Sequence, residues 1–287
     1  MTGERDIRPS TNSLVDRMFV ATADQDYVLA RWAAINNLDL QFLLLGLLAV
    51  EKYLKAILLL NGSSAKKYGH DIVTAYEDVL EFNPSLSFDP LLKPQLLKGI
   101  NELYWRDEPV KTFIRRLNEL GNPNNRYMLM GFVFWSDDLL KLDQIVWSIR
   151  RHCRPFNMRL PSAKGIVEVN WIEELKKQPR YWTVGSNLPI EQLLAKRTPT
   201  ALYEALTKLN APFAPDHEHE LSSWRTSSAN PPLADWFDRL RSEQSIPEVR
   251  DSATKILQWM LDNVKLSKED RRQLRQEINN AVEKGES

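Results

Sequence analysis

Apolar positions along this chain recur mostly in steps of three and four, the spacing of one helix face, rather than in alternation. The first such run predicts a helix from about Leu14 to Asn36, with Val15, Met18, Phe19, Ala23, Tyr27, Ala30 and Ala34 on one stripe. The next, about Leu38 to Leu60, is apolar nearly all round and belongs at the centre of a bundle. It ends at Asn61-Gly62, where glycine supplies a left-handed stop. A loop, Ser63–Gly69, leads to a third helix over Ile72–Phe82, with Asp71 as N-cap and Ile72, Tyr76, Val79 and Leu80 facing inward. Pro84, Pro90 and Pro94 interrupt the pattern. Helices follow over Pro94–Tyr104 and Val110–Leu120, then a turn at Gly121–Asn125. A long helix spans about Ser136 to His152, with Ser136 as its cap, Asp137 and Asp138 at the positive end, and Arg150 and Arg151 at the negative end.

Pro155 stops that helix, and the texture then changes. Ile166–Val169 reads as one short strand. Helices are expected at Ile190–Lys196, Thr200–Asn210, Leu233–Arg241, Pro247–Val264 and Lys268–Lys284, the last capped by Ser267. The Pro-, Ser- and His-rich stretch 211–232 reads as a loop or linker. The expectation is an all-α protein: a helical domain over 1–155 and a mostly helical C-terminal region over 156–287, a smaller module or an extension.

The net charge changes the list of partners. Lys+Arg and Asp+Glu are 38 each, so any grip on nucleic acid has to come from a local patch. A single cysteine, Cys153, excludes an intrachain disulfide and fits a reducing compartment. The N-terminal segment lacks the apolar core of a signal peptide, so secretion is not expected. The apolar run Leu38–Leu60 carries Glu51, Lys52 and Lys55 at its centre, each costly in a bilayer, so no membrane partner is expected.

Four pieces of the N-terminal half carry a family resemblance. They are Tyr27-Val28-Leu29-Ala30-Arg31, Ala49-Val50-Glu51-Lys52-Tyr53-Leu54-Lys55-Ala56, Gly69-His70-Asp71-Ile72 and Arg126-Tyr127. In that order and spacing, residues 12–152 resemble the HEPN domain, a helical domain named for nucleotide binding in higher eukaryotes and prokaryotes. The resemblance implies an antiparallel helical bundle, commonly a homodimer, in a prokaryotic cytoplasmic protein. Many such domains are metal-independent endoribonucleases that use an arginine and a histidine with four to six residues between them. The histidine acts as acid or base on the RNA 2′-hydroxyl and the arginine holds the phosphate. Others bind nucleotides, RNA or protein partners, often a nucleotidyltransferase, in prokaryotic toxin–antitoxin or phage-defence systems.

None of the four histidines, His70, His152, His217 and His219, has an arginine at the required distance. Upstream of His70 stand Ala65, Ser64 and Ser63; upstream of His152 stand Trp147, Val146 and Ile145. The expectation is therefore a non-catalytic module binding a nucleotide, RNA or protein partner. The alternative is a divergent endoribonuclease using His70 or His152. Candidate phosphate-binding residues are Lys52, Lys55, Lys66, His70 and Arg126. Each has a bland counterpart: Glu51–Lys55 as a helical i,i+4 pair, His70-Asp71 as a helix start, Arg126 in an interhelical ion pair. The basic run Trp147–Arg159 reads either as an RNA grip or as cations at a helix C-terminus. Asp216-His217-Glu218-His219-Glu220 has neither helical nor zinc-finger ligand spacing, and no metal or cofactor is expected.

Overall fold

The computed structural model of the protein describes residues 8–86, 91–94, 105–128, 131–162, 165–178, 187–196, 200–214, 226–230, 233–242, 245–264, 266 and 268–285. The chain is mostly helical. Residues 95–104 of the helix expected at Pro94–Tyr104, the Ser267 cap and the acidic-histidine run at 216–220 lie outside the described residues.

The N-terminal stripe forms α1 (Arg8–Val15) and α2 (Ala21–Ile35), joined without a break by a π-helical segment, Asp16–Val20. Thr22 Oγ1 donates to the Met18 carbonyl at 2.7 Å and the Phe19 carbonyl at 3.2 Å. This hydroxyl supplies a donor where the helical hydrogen-bond ladder changes pitch. The all-apolar run forms α3 (Asp39–Leu60). It ends in a Schellman motif: Gly62 has φ +85°, and the Ser63 N–H reaches back to the Leu58 carbonyl at 2.8 Å. Next come α4 (Ile72–Phe82), α5 (Val110–Leu120) and α6 (Asp138–Arg151). Asp71 caps α4 as expected, accepting from Val73 N at 3.0 Å and Thr74 N at 3.2 Å.

The cap of α6 differs from expectation. Asp137, not Ser136, takes the N-cap position, with no side-chain cap bond. Its carboxylate is drawn instead to Arg106 and Lys141, at 2.7 and 2.9 Å. Ion pairs with two cations take this carboxylate away from the helix N-terminus.

α3 touches α2, α4, α5 and α6, which accounts for its apolar circumference. Phe42, Leu47, Val50, Tyr53, Leu54 and Ile57 are fully buried. Each such side chain contributes about 1.5–3 kcal/mol by leaving water. On α5, Val110, Phe113, Ile114 and Leu117 repeat at helical spacing and are buried against this core.

Two two-stranded sheets interrupt the helices: β1 (Phe132–Phe134) with β4 (Ser227–Ala229), and β2 (Asn157–Ser162) with β3 (Gly165–Asn170). The expected strand at Ile166–Val169 is thus one arm of an antiparallel hairpin. Short helices α7 (Trp171–Lys176), α8 (Pro189–Lys196) and α9 (Ala201–Thr207) follow, then α10 (Ala234–Arg241), α11 (Pro247–Asn263) and α12 (Lys268–Gly285).

The chain divides into two compact units, one of 1–122 with 134–227, the other of 123–133 with 228–287. The first takes in residues on both sides of Pro155. In the second, Leu233, Leu240, Ala253, Leu257, Leu274 and Ile278 from α10, α11 and α12 form one core. Among the described residues, no helix is long and apolar enough to cross a membrane.

Gly121 ends α5 where the chain passes under α3. A Cβ there would sit 2.3 Å from the Leu43 carbonyl oxygen and 2.9 Å from that of Leu117. Both obstacles are backbone and cannot rotate away. Gly121→Ala should therefore lose about 3 kcal/mol of stability, the upper end for overpacking, read by urea unfolding.

Candidate functional site

The α3–α4 junction brings together three of the residues singled out in the sequence. Glu51 and Lys55 lie one turn apart on α3, and His70 comes from the loop ahead of α4. Glu51 is buried, and its two oxygens take different partners. Oε1 accepts from Lys55 Nζ at 2.6 Å, and Oε2 lies 2.9 Å from His70 Nδ1. Lys55 Nζ also donates to the Gly69 carbonyl at 2.6 Å. A carboxylate only accepts, so Nδ1 is the donor in this contact. The His70 side chain is 54% exposed, so solvent or a ligand reaches the ring.

The same loop is fixed at several further points. Gly69 has φ +55°, a left-handed conformation that suits glycine. The Ile72 N–H donates to Asn118 Oδ1 at 3.0 Å. Tyr68 is buried and its hydroxyl donates to Asp78 at 2.7 Å, while Lys67 pairs with the same carboxylate at 2.5 Å. Lys67 and Tyr68 together hold the Asp78 carboxyl below its ordinary range. Beside this loop opens a cavity of about 500 Å³ whose walls include Ser63, Ser64, Lys66, Asp78 and Phe82. Lys66 is exposed on its rim.

The remaining candidates go elsewhere. Lys52 projects to α2, its Nζ 2.6 Å from Asp26 Oδ2. Arg126 belongs to the second unit, where its guanidinium stacks 4.8 Å over the Tyr127 ring. His152 is buried at the C-terminus of α6 with Nδ1 2.7 Å from the Ser148 carbonyl. Burial lowers its pKa from 6.5 to about 4, so the ring is neutral at pH 7. Burial also pushes the Cys153 thiol far up, leaving it protonated and inert.

Sequence reasoning missed three charge networks. Arg31, fully buried, forks onto Asp143 at 2.8 and 3.0 Å and also donates to the carbonyls of Ala205 and Lys208. Tyr27 donates to the same Asp143 at 2.6 Å. Arg150 forks onto Asp24 at 2.7 and 2.9 Å and onto Glu191 at 2.7 Å twice, while Tyr53 donates to Asp24 at 2.6 Å. Burial first, then the adjacent carboxylate, raises both phenols well above their ordinary range. At the start of α6, Arg106, Arg116 and Lys141 neutralise Glu108, Asp137 and Asp138. The signal was present: charged residues inside otherwise apolar stripes at positions 24, 31, 143 and 150. Two of the pairings, Arg31–Asp143 and Arg150–Asp24, join residues more than a hundred positions apart, a distance at which spacing gives no guide to which acid meets which base. The first and third networks balance in charge, and in the second one guanidinium serves two carboxylates, an arrangement that fits bracing better than ligand capture.

Among the described residues, no group of three or more His, Cys, Asp or Glu side chains is placed to hold a metal ion. No protein-family model, no curated protein and no solved structure matches this chain.

His152 yields a pH prediction. Its folded pKa lies below its unfolded one, so the unfolded chain binds the extra proton. Stability is full above pH 6.5 and falls as pH drops through the window from 6.5 to about 4. His152→Asn keeps a donor for the Ser148 carbonyl but cannot titrate. Between pH 7 and pH 4 the wild type should lose up to about 3 kcal/mol relative to this variant in urea unfolding.

Proposed function

We propose that the first unit is a HEPN-like antiparallel bundle acting as a non-catalytic module that binds a nucleotide, RNA or protein partner. A homodimer in a prokaryotic toxin–antitoxin or phage-defence system is the setting the resemblance suggests. The observation that carries this reading is the lock at the α3–α4 junction. Glu51 bonds to both Lys55 and His70, all residues of the family-like motifs, and the three hold a loop beside an open cavity. A preformed concave site with a few fixed polar groups suits binding, because little order is lost when a ligand enters. Lys52 and Lys55 already have carboxylate partners, so the phosphate contact in this reading falls to Lys66.

A second reading, a divergent metal-independent endoribonuclease, is favoured by one contact. The Glu51–His70 hydrogen bond orients an exposed imidazole as acid–base catalysis requires. His152, buried and tied to its own helix, does not serve that role.

Labelled single-stranded RNA mixed with the protein in EDTA separates the two. Intact RNA on a gel, with an anisotropy increase weakened about tenfold by Lys66→Ala, is the expected result; one charge-assisted hydrogen bond is worth roughly 1.5 kcal/mol. Cleavage that disappears in His70→Ala would replace the binding module with the nuclease.

A further inference from the structure

The β2–β3 hairpin has two unlike edges. Its register pairs Met158 with Val169, Arg159 with Glu168, Leu160 with Val167 and Pro161 with Ile166. Proline has no N–H, so Pro161 and Ile166 form a non-hydrogen-bonded pair. Pair types alternate along an antiparallel ladder, so Arg159 and Glu168 are also such a pair. The backbone N–H and C=O groups of Arg159 and Pro161 therefore point away from β3, and those of Ile166 and Glu168 point away from β2.

On the β2 side, Pro161 interrupts the row of donors and closes that edge to a further strand. On the β3 side the row is intact. Among the described residues no other strand pairs with it. Ile166 is 73% exposed and Val167 47%, unusual for apolar residues on a strand with an open edge.

We propose that the free edge of β3 is a docking site for an extended segment of a partner protein with the pattern apolar–basic–apolar. Charge fixes the occupant. Arg159 and Glu168 face each other at 3.1 Å, both about three-quarters exposed, giving a plus–minus order across the hairpin. A third strand with a cation opposite Glu168 continues the alternation. A second copy of β3 paired symmetrically at this position would set Glu168 against Glu168, and like charges directly opposite destabilise a pair. Residues flanking the cation point to the other face, the one that carries Met158, Val167 and Val169. Main-chain bonds give such a complex its affinity and alternate side chains its specificity.

The test uses the full chain and two peptides, acetyl-Thr-Val-Lys-Val-Thr-amide and its Glu-centred counterpart. The Lys peptide should bind at least about tenfold more tightly, a difference of roughly 1.4 kcal/mol, and protect the Ile166 and Glu168 amides from hydrogen exchange. Glu168→Lys should invert the preference. Ile166→Pro, which copies Pro161 on the opposite strand, should abolish binding while circular dichroism stays unchanged. Equal binding of both peptides, no binding of either, or binding that survives Ile166→Pro would overturn the proposal. So would a dimer in sedimentation that Ile166→Pro dissociates, because the occupant would then be a second copy.

Discussion

Removing a guanidinium from water costs several kcal/mol, and among the described residues Arg31 and Arg150 are buried in the core in this way. That cost is met only when nearly every donor finds an acceptor, and the surrounding helices are arranged accordingly. Arg31 requires Asp143 from α6 on one side and the end of α9 on the other. Arg150 requires Asp24 from α2 and Glu191 from α8. These bonds run between segments distant in sequence, and they fix which helices are neighbours. Apolar packing around α3 supplies most of the free energy, but by itself it is tolerant of sliding and rotation. The forked bonds are not tolerant, because two parallel N–H···O contacts define both distance and angle.

Helices were the most legible part of the sequence. α4 and α5 run over the residues their periodicity predicts: inward positions at helical spacing mark both, and Asp71 caps the start of α4. The long helices were recognised with shifted ends. The π-segment was invisible because it alters hydrogen bonding without altering the apolar stripe. The strand β2 was missed for a different reason. Asn157-Met158-Arg159-Leu160-Pro161-Ser162 includes a proline, which reads as a break until a partner strand makes it an edge.

The candidate site was legible in part. Glu51 with Lys55 follows from helical spacing, and His70 was singled out by the Gly69-His70-Asp71-Ile72 piece of the family resemblance. Their meeting around one carboxylate could not be read from spacing, because it depends on how the loop folds back over α3. Lys52, adjacent to Glu51 in the chain, turns to α2 instead: one residue is about 100° around a helix. Arg126, grouped with these residues by the family-like pattern, falls in the other compact unit.

Consider finally what Arg31 does for α9, in the order in which a ribosome makes the chain. A helix of seven residues is too short to persist unaided. Its terminal carbonyls are gathered by a guanidinium synthesised some 174 residues earlier. For most of synthesis that guanidinium has only Asp143, or nothing, to satisfy its buried hydrogens. The N-terminal helices thus emerge with an unfilled socket, and the last piece to arrive is the one that closes it. A chain halted before Ala205 holds Arg31 and Asp143 but lacks the carbonyls that take the remaining guanidinium hydrogens.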